Sequence, residues 1–565
     1  MAQLPLALIL AFALISLAWL VPNHYLPWVT FHSEITASFA FSILGATLLL
    51  GTRGRLEWPR LALLFLVAAM VPPLQASFGL IHFWGDAWVA SLYLLATSMS
   101  LVAGHSLMKR YEPAAALSAL WLFTLCAAIA SVGIALYQWL GLTGLGLLAV
   151  DFPPNGRPFA NLAQPNHLAT LLMLGLVAAW GLFQRHLLGR PVLAAIILFL
   201  LFGMAMTQSR GAWLAIAGLV LWVLVLRDRA TLRVRRAEAL ALGSAFAILV
   251  AAWPFLCDAL YLSPGRVLGQ QAEGGTRPIH WASMVDAIGR QPWFGYGWNQ
   301  VSVAQARVAT EHPFTGEMIE HSHNILLDLL VWNGVPLGLG FIGGLAWWVW
   351  RHVRACRDAT VALLLAGVGV VLIHAMLEFP QEYAYFLLPV GLMMGAAEAL
   401  SPAGRVVQVP RITTTAFALV AAAMLVWLAV EYLDLEESHR RLRFESARIG
   451  AQAVTTSPER DIVLLTQLRE FLRFARTEAH PSMSASQLDW MRKVAERYGY
   501  PPVLFRYALA AGVNGQPDAA SAALARLCKV HARLRCVEGR DAWTALRKQY
   551  PQLREIEAPA LPAGR

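Results

Sequence analysis

Residues 191–226 read PVLAAIILFLLFGMAMTQSRGAWLAIAGLVLWVLVL, two apolar runs joined by the short polar turn Gln208-Ser209-Arg210-Gly211. The runs cover residues 191–207 and 211–226, contain no charged residue, and are followed directly by Arg227. A helix needs about 20 apolar residues to cross the hydrocarbon core of a bilayer. Each run is therefore predicted to be a membrane helix.

The same pattern recurs along the whole chain of 565 residues, of which 58% are hydrophobic and 14% charged. Soluble proteins carry about a quarter charged residues, so this composition excludes an ordinary globular enzyme. The pattern predicts an all-α, polytopic membrane protein with about thirteen transmembrane helices. The apolar blocks lie near residues 5–22, 35–51, 61–81, 87–105, 114–139, 168–184, 191–207, 211–226, 238–256, 325–350, 360–378, 383–399 and 412–432. The first block lacks a preceding Lys or Arg and a following cleavage site, so we interpret it as a retained helix.

Lys and Arg residues gather in every second loop, which is the pattern of cytoplasmic loops when the N-terminus is cytoplasmic. These loops contain Arg53, Arg55, Arg60, Lys109, Arg110, Arg185, Arg190, Arg227, Arg229, Arg233, Arg235, Arg236, Arg351, Arg354, Arg357, Arg405 and Arg411. The loops at 23–33, 72–86 and 379–382 contain none. The net charge of +10 is thus explained by topology and requires no nucleic-acid partner. The expected location is the inner membrane of a bacterium.

Six arginines lie on the predicted periplasmic side, where the rule disfavours them: Arg157, Arg210, Arg266, Arg277, Arg290 and Arg307. For Arg266, Arg290 and Arg307, solvation of a long loop explains the charge as well as function does. Arg210 differs because it lies in a very short turn between two membrane helices. A cation there is costly unless it faces a cavity or a partner, which favours a functional role.

Four regions follow from these patterns: an N-terminal transmembrane region at 1–256, a long periplasmic loop at 257–324, a C-terminal transmembrane region at 325–432, and a periplasmic helical domain at 433–565. In the last region, apolar residues have helical spacing in 502–512 and 518–534. Such a hairpin resembles one tetratricopeptide-type unit. It suits recognition of a protein partner, and a purely structural role fits equally well.

Cys528 and Cys536 both fall in the predicted periplasmic tail, a compartment where disulfides persist. On one straight helix their eight-residue separation corresponds to about 12 Å, which is too far for a bridge. A disulfide therefore requires the helix to end near Arg533, and the sequence leaves this open.

The segment Glu320-His321-Ser322-His323-Asn324 directly precedes the apolar run Ile325-Leu326-Leu327, which places it at the start of a membrane helix. The helix dipole disfavours the charged form of a His there and keeps the imidazole able to accept a proton. Asn324 either orients the imidazole or caps the helix. A polar cap without chemistry is the simpler reading. A metal site is disfavoured because the two histidines of His-x-His on a helix point in different directions and no nearby Asp or Glu triplet completes a site.

Three further polar patches are predicted on the same face, at 22–28, 155–167 and 378–385. The second contains four amides, two prolines and a His, and irregular polar backbone at membrane depth is tolerated where it lines a cavity. Guanidinium groups suit phosphate, and a neutral His beside them suits activation of a hydroxyl group. The residues thus predict a pocket for an anionic, lipid-linked donor.

Several motifs resemble those of the O-antigen ligase and polymerase superfamily, and within it the bacterial O-linked protein glycosylation ligases of PglL type. They are PNHYLPWVTFHSE at 22–34, RPFANLAQPNHLAT at 157–170, SRGAW at 209–213, HSHN at 321–324 with NGVPLG at 333–338, and EFPQEYAYFL at 378–387. The resemblance covers nearly the whole chain. It implies transfer of a preassembled glycan from undecaprenyl pyrophosphate to a Ser or Thr hydroxyl of a periplasmic protein, often a pilin, with no cofactor and no metal.

The resemblance also implies roles for individual residues. His323 is the expected base, with His321 as the alternate because both match a His-x-His-Asn pattern. Gln164 and Tyr383 resemble functionally important positions of the family, although Gln381-Glu382 replaces the apolar-aromatic pair that many relatives have before the tyrosine. The expected pyrophosphate-binding residues are Arg210, Arg277 and Arg157.

Two other functions remain open. An O-antigen ligase would use the same donor with lipid A–core as acceptor. A Wzy-type polymerase is a more distant alternative. A transporter or flippase for lipid-linked sugars would show internal repeats and polar residues at the membrane midplane. The long tail and the QPNH segment favour a protein acceptor, and the gathering of polar residues on one face disfavours a transporter.

Overall fold

The structure is a computed structural model that describes residues 4–50, 54–153, 156–263, 265, 275–448 and 461–561. Arg266 and part of the predicted loop at 257–324 lie outside these residues. The described chain is mostly α-helical, as expected from the sequence.

Twenty-one α-helices are described, numbered here in chain order. They are α1 Leu6–Ala18, α2 Phe31–Leu50, α3 Arg60–Ala68, α4 Val71–Ser77, α5 Trp84–Arg110, α6 Pro113–Trp139, α7 Pro165–Gln184, α8 Arg190–Thr207, α9 Arg210–Leu226, α10 Arg236–Ala259, α11 Arg277–Arg290, α12 Val301–Val308, α13 Ile325–Ala355, α14 Ala359–Ala375, α15 Ala384–Leu400, α16 Arg411–Ser446, α17 Thr466–Arg476, α18 Ala485–Arg497, α19 Pro501–Val513, α20 Pro517–Val530 and α21 Arg533–Gln549.

Among the described residues, nine helical stretches are long and apolar enough to cross a membrane, and they establish a multi-pass membrane protein. They are Phe31–Leu50, Arg60–Ser77, Trp84–Arg110, Pro113–Trp139, Pro165–Gln184, Arg190–Thr207, Arg236–Ala259, Ile325–Ala355 and Arg411–Ser446. Four shorter apolar helices are Leu6–Ala18, Arg210–Leu226, Ala359–Ala375 and Ala384–Leu400. Every predicted apolar block overlaps one of these helices, while the count of thirteen spans stays a prediction.

A two-stranded antiparallel sheet was not predicted. Its strands are β1 Arg55–Pro59 and β2 Val406–Pro410, with Arg55 opposite Pro410 and Pro59 opposite Val406. Each strand ends in a proline followed by an arginine that begins a helix. The residue before a proline favours extended backbone, and proline ends the ladder because it has no N–H. The proline-arginine pairs are visible in the sequence, but they do not predict the pairing of the two strands, which joins distant segments of the chain.

The chain forms two compact units, each assembled from separate stretches of sequence. The first unit comprises 1–68, 92–273 and 343–427, and the second comprises 69–91, 274–342 and 428–565. In the first unit α7 is buried on all sides, from His167 to Phe183. A helix that is apolar all round belongs inside a larger assembly of helices, and α7 is the centre of this unit.

The core of the second unit combines residues of the tail with Phe83 and Ala309, which come from two other stretches of the chain. Among its most buried side chains are Met491, Leu504 and Trp543. In the tail, α19 and α20 occupy the two predicted helical segments, and Gly515 lies between them with φ +76°. The likeness of this hairpin to a tetratricopeptide unit stays a prediction.

The disulfide that the sequence left open is present between Cys528 and Cys536, whose Cα atoms are 4.5 Å apart. The predicted helix at 518–534 is too long, because α20 ends at Val530 and α21 begins at Arg533. This break brings the two cysteines together, as the geometric argument required.

Replacing Cys536 with serine is expected to destabilise the tail by about 2–3 kcal/mol, because a closed loop of this length restricts the unfolded chain. Thermal unfolding of the full chain in detergent, followed by proteolysis of the tail, would measure the loss. The matched control is Cys126→Ser, which alters an exposed free cysteine. Equal melting of the two variants would contradict the prediction.

Candidate functional site

Residues 321–324, called here the His motif, lie immediately before α13 and are held in place by hydrogen bonds among themselves and with the start of that helix. Asn324 Oδ1 accepts from the backbone N–H groups of Leu326 at 3.0 Å and Leu327 at 3.4 Å, so Asn324 caps the helix. Ser322 donates its backbone N–H to Asp328 Oδ1 at 2.8 Å and its hydroxyl to Asn324 O at 2.9 Å. His323 has φ +58°, in the left-handed region. Such backbone is uncommon outside glycine and is maintained here by the surrounding bonds.

Two carboxylates interact electrostatically with His323. They belong to Glu317, six residues earlier, and to the buried Asp328 at the start of α13. The pKa of Glu317 is lowered, mainly by its hydrogen bond with His280, then by Thr276 and by the charges of His280 and His323, against the effect of burial. Glu317 and Asp328 are thus the acidic side chains that interact with the imidazole of His323.

Helix α11 joins this group through its first two turns. Thr276 Oγ1 donates to Glu317 Oε2 at 2.6 Å, and His280 Nε2 donates to the same oxygen at 3.2 Å. Trp281 Nε1 donates to Ser322 O at 3.0 Å, between the two histidines of the motif. Arg277 is the first residue of α11 and is half-buried. A helix N-terminus is partly positive, so α11 and Arg277 together favour an anion near the motif.

His321 has a different electrostatic environment. Burial, together with the positive charges of Arg497 and His323, lowers its pKa to about 3. A group with this pKa is uncharged at neutral pH and is a weak base. The structure thus distinguishes the two histidines that the sequence pattern treats alike.

The first unit contains a second group at the starts of α7 and α15. Gln164 immediately precedes α7, and its Oε1 is buried with no hydrogen-bond partner among the described residues. Tyr383 immediately precedes α15, and its ring packs edge-on against the ring of His167, with centroids 4.4 Å apart. Gln164 and His167 lie within one helical turn, so His167 links the two predicted residues.

Buried polar residues of α14 and the following loop support this second group. Asn166 Nδ2 donates to Glu378 Oε1 at 2.7 Å, and Thr170 Oγ1 shares a 2.7 Å hydrogen bond with His374 Nδ1. His167, His374 and Glu378 are all buried. The beginning of α7 is therefore fixed against the end of α14.

Two predicted arginines meet at the turn between α8 and α9. Arg157 donates from Nη1 to Thr207 O at 3.2 Å and to Gln208 O at 3.5 Å. Gln208 has φ +48° in this turn, and Arg210 is the first residue of α9. Both arginines are half-buried. Two guanidinium groups near a helix N-terminus produce a positive local field.

The predicted site residues thus fall into two groups. Gln164, Tyr383, Arg157 and Arg210 belong to the first unit, while Arg277, His321 and His323 belong to the second. All are half-buried. In the described part of the chain, no group of three or more His, Cys, Asp or Glu residues is arranged to bind a metal ion.

Sequence reasoning assigned no role to several residues of these groups, namely His167, Glu317, Asp328, His374, Glu378 and Arg497. Asp328 and His374 could have been singled out from the sequence, because each is an ionisable residue inside an apolar block, which is costly and usually functional. Glu317 and Arg497 have no such local signal, since their environment comes from distant parts of the chain.

Comparison with known proteins gives three matches to family models. Residues 158–183 match a model described as protein glycosylation ligase, residues 193–342 one described as O-antigen ligase, and residues 362–536 one described as the C-terminal part of a virulence factor membrane-bound polymerase. The first of these segments includes Gln164 and His167, and the second includes Arg210, Arg277, His321 and His323.

Two relatives come from Acinetobacter baylyi. A general O-oligosaccharyltransferase is 31% identical over 541 residues, which cover 94% of this chain and 93% of the relative. A ComP-specific O-oligosaccharyltransferase is 26% identical over 385 residues, which cover 67% of this chain and 68% of the relative. The first similarity runs through both compact units.

Proposed function

The chain belongs to the bacterial O-oligosaccharyltransferases of the O-antigen ligase superfamily, and from that premise we propose that it transfers a preassembled glycan from undecaprenyl pyrophosphate to Ser or Thr hydroxyls of a periplasmic protein such as a pilin. As a member of this family it is a membrane-bound glycosyltransferase. The observation that carries the proposed mechanism is the environment of His323, which interacts with the carboxylates of Glu317 and Asp328 and follows Ser322, the residue to which Trp281 of the helix beginning with Arg277 donates a hydrogen bond.

In the proposed reaction, the acceptor hydroxyl loses its proton to His323 as its oxygen bonds to the anomeric carbon of the glycan. The bond between that carbon and the pyrophosphate oxygen breaks, and undecaprenyl pyrophosphate leaves with the electron pair. His323, next to Glu317 and Asp328, then gives the proton to water. The reaction needs no redox partner.

The choice of His323 over His321 is supported by their surroundings. His323 interacts electrostatically with the carboxylates of Glu317 and Asp328, whereas burial and Arg497 destabilise the charged form of His321. A base is effective when its pKa lies near the working pH, and the pKa of His321, about 3, is far below neutrality.

Arg210, Arg277 and Arg157 are proposed to bind the pyrophosphate. Arg277 and Arg210 each begin a helix, where backbone N–H groups add to the positive charge. Guanidinium groups form paired hydrogen bonds with phosphate oxygens and stabilise negative charge on the leaving group.

Gln164 and Tyr383 are proposed to contact the donor or the acceptor. The buried Gln164 Oε1 lacks a hydrogen-bond partner among the described residues, and buried polar groups are rarely left unsatisfied. A hydroxyl group of a bound glycan would supply the missing donor.

A periplasmic active site and tail are proposed as well. The Cys528–Cys536 disulfide supports this orientation, because such bonds persist in oxidising compartments. One relative is named for a single acceptor, ComP, so a narrow acceptor range is known among similar proteins. The tail is proposed to contribute to acceptor choice.

The proposal is tested by producing the chain in bacteria together with a pilin acceptor and a lipid-linked glycan. Mass spectrometry of periplasmic proteins is expected to show the glycan on a Ser or Thr of the acceptor only when the chain is present. Arg277→Met is expected to reduce transfer about 10- to 100-fold, through lost charge-assisted hydrogen bonds to pyrophosphate. Arg290→Met is the matched control on the same helix, because Arg290 makes exposed ion pairs with Asp286 and Glu311 that contribute little.

An unmodified acceptor with a glycosylated lipid A–core would instead support the O-antigen ligase function. Movement of the lipid-linked glycan across the membrane without transfer would support a flippase. Equal losses for Arg277→Met and Arg290→Met would contradict the role of Arg277 in binding pyrophosphate.

A further inference from the structure

Helix α13 is interrupted within the second unit. Gly334 has φ +71° and ψ 175°, which is not helical, and Pro336 follows two residues later. Proline has no N–H to donate to the carbonyl four residues before it, so Trp332 O loses its helical partner. The broken turn leaves backbone groups of a membrane-spanning helix in need of other partners.

The segment Gln291–Trp298 between α11 and α12 supplies these partners. Tyr296 N donates to Val331 O at 2.7 Å, and Gly297 N donates to Trp332 O at 3.1 Å. In the opposite direction, Val335 N donates to Pro292 O at 2.7 Å. The backbone of the loop thus pairs with the backbone of the helix.

Glycines permit this close approach on both sides. A Cβ atom at Gly334 would lie 2.5 Å from the carbonyl group of Trp293, and one at Gly295 would lie 2.4 Å from Val331 O. The ring of Trp298 stacks on the ring of Trp332, with centroids 4.6 Å apart. The segment is therefore fixed rigidly to α13.

The residues of α13 that contact the segment, from Val331 to Val335, lie within the first eleven residues of the helix. Because α13 begins directly after Asn324, the segment pairs with the end of the helix that follows the His motif. Irregular backbone in a membrane-spanning segment is tolerated only when protein satisfies its hydrogen bonds, and α13 does so.

Two large aromatic side chains of this segment point outward. Trp293 is 69% exposed and Phe294 is 74% exposed, although their backbone is fixed. Aromatic rings are enriched at the boundary between headgroups and acyl chains, where Trp in particular has favourable contacts on both sides. In water, the same pair would be an unfavourable exposed apolar patch.

We propose that Gln291–Trp298 is an interfacial membrane anchor, in which Trp293 and Phe294 insert between the headgroups and acyl chains of the bilayer. The segment directly follows α11 and pairs with α13, the two helices that hold Arg277 and the His motif. The anchor fixes their height relative to the membrane surface. The importance of this height rests on the proposed function, because only a lipid-linked pyrophosphate requires the site at a fixed distance from the membrane surface. The insertion of Trp293 and Phe294 into the bilayer does not rest on the proposed function.

The test uses the full chain in nanodiscs of phosphatidylethanolamine and phosphatidylglycerol. Phe294→Cys is spin-labelled in a background where Cys126, Cys257 and Cys356 are alanine and the disulfide is intact. Dissolved oxygen, which concentrates in acyl chains, is expected to relax the label more strongly than a water-soluble nickel chelate. Leu534→Cys on α21 is the control, since this side chain is 64% exposed on the tail and the chelate is expected to dominate there.

Equal access of the chelate at positions 294 and 534 would overturn the anchor. Exclusion of both reagents at position 294 would overturn it too, because protein rather than lipid would then cover the segment. Trp293→Cys repeats the measurement if the first variant fails to fold. None of these readings depends on glycan transfer.

A second measurement addresses the consequence for transfer. In vesicles of the same lipids, Phe294→Glu is expected to raise the KM for the lipid-linked donor several-fold, while Phe294→Leu leaves it unchanged. If the spin label at position 294 is inserted in the bilayer but Phe294→Glu and Phe294→Leu have identical KM values, the anchor stands and its effect on donor binding is refuted.

Discussion

Replacing His323 with alanine is expected to abolish glycan transfer, with a loss of about 10²- to 10⁴-fold, the contribution of a positioned general base. The variant is expected to reach the membrane in normal amounts, because His323 is half-buried and lies before α13 rather than within its packed length. The measurement is the initial rate of transfer to the acceptor per mole of folded protein, with folding checked by thermal unfolding in detergent.

The parallel variant His321→Ala distinguishes the two imidazoles. His321 is held in its neutral form by burial and by Arg497, so its loss is expected to act on packing rather than on proton transfer. A smaller loss of transfer is expected, together with a lower unfolding temperature. Unchanged transfer in His323→Ala, or a complete loss confined to His321→Ala in folded protein, would refute the assignment of the base.

The sequence predicted the parts of the fold that depend on local composition. Apolar blocks mark helices because a membrane requires about 20 apolar residues in succession, and the turn at Gln208–Gly211 was found for the same reason. The pairing of β1 with β2 was missed, since it joins residues 55–59 to residues 406–410. No short-range pattern encodes such a pairing.

The candidate site was predictable to a similar degree. Motifs singled out the histidines, arginines, Gln164 and Tyr383 as candidates, whose roles stay predictions, and named His323 as the expected base with His321 as the alternate. The electrostatic environment of His321 depends on Arg497 of the tail, and Glu317 near His323 is bound to His280 of α11. The break at Gly334 was visible as a Gly and a Pro in an apolar run, yet its partner segment at 291–298 was not.

Replacing Arg497 with methionine is expected to destabilise the second unit by about 3–5 kcal/mol, because it leaves a buried carboxylate without its counter-charge. Arg497 and Asp86 are 9% and 2% exposed. The guanidinium binds the carboxylate through two nitrogens, with Nη2–Oδ1 at 3.0 Å and Nε–Oδ2 at 3.1 Å. Gln300 Nε2 also donates to Asp86, at 3.2 Å, so three stretches of the chain meet at this pair.

The matched control is Arg535→Met, which removes an exposed ion pair with Glu538 in the same tail. That change is expected to alter stability by less than about 1 kcal/mol. The double variant Asp86→Asn/Arg497→Met is expected to lose less than the sum of its single variants, since it no longer contains an unpaired buried charge. Chemical unfolding of the full chain in detergent would measure all four proteins.

Glycan transfer by Arg497→Met is expected to fall together with its stability, because the same segment of the tail holds Glu320, the residue before the His motif. Arg497 Nη1 lies 3.9 Å from Glu320 Oε2, and Tyr500 donates its hydroxyl to Glu320 Oε1 at 3.0 Å. If the double variant regains stability but not transfer, Arg497 acts on the motif through Glu320 and His321. If the double variant regains both stability and transfer, the ion pair serves folding alone. An Arg497→Met variant as stable as Arg535→Met would contradict the stabilising role of the buried charge pair.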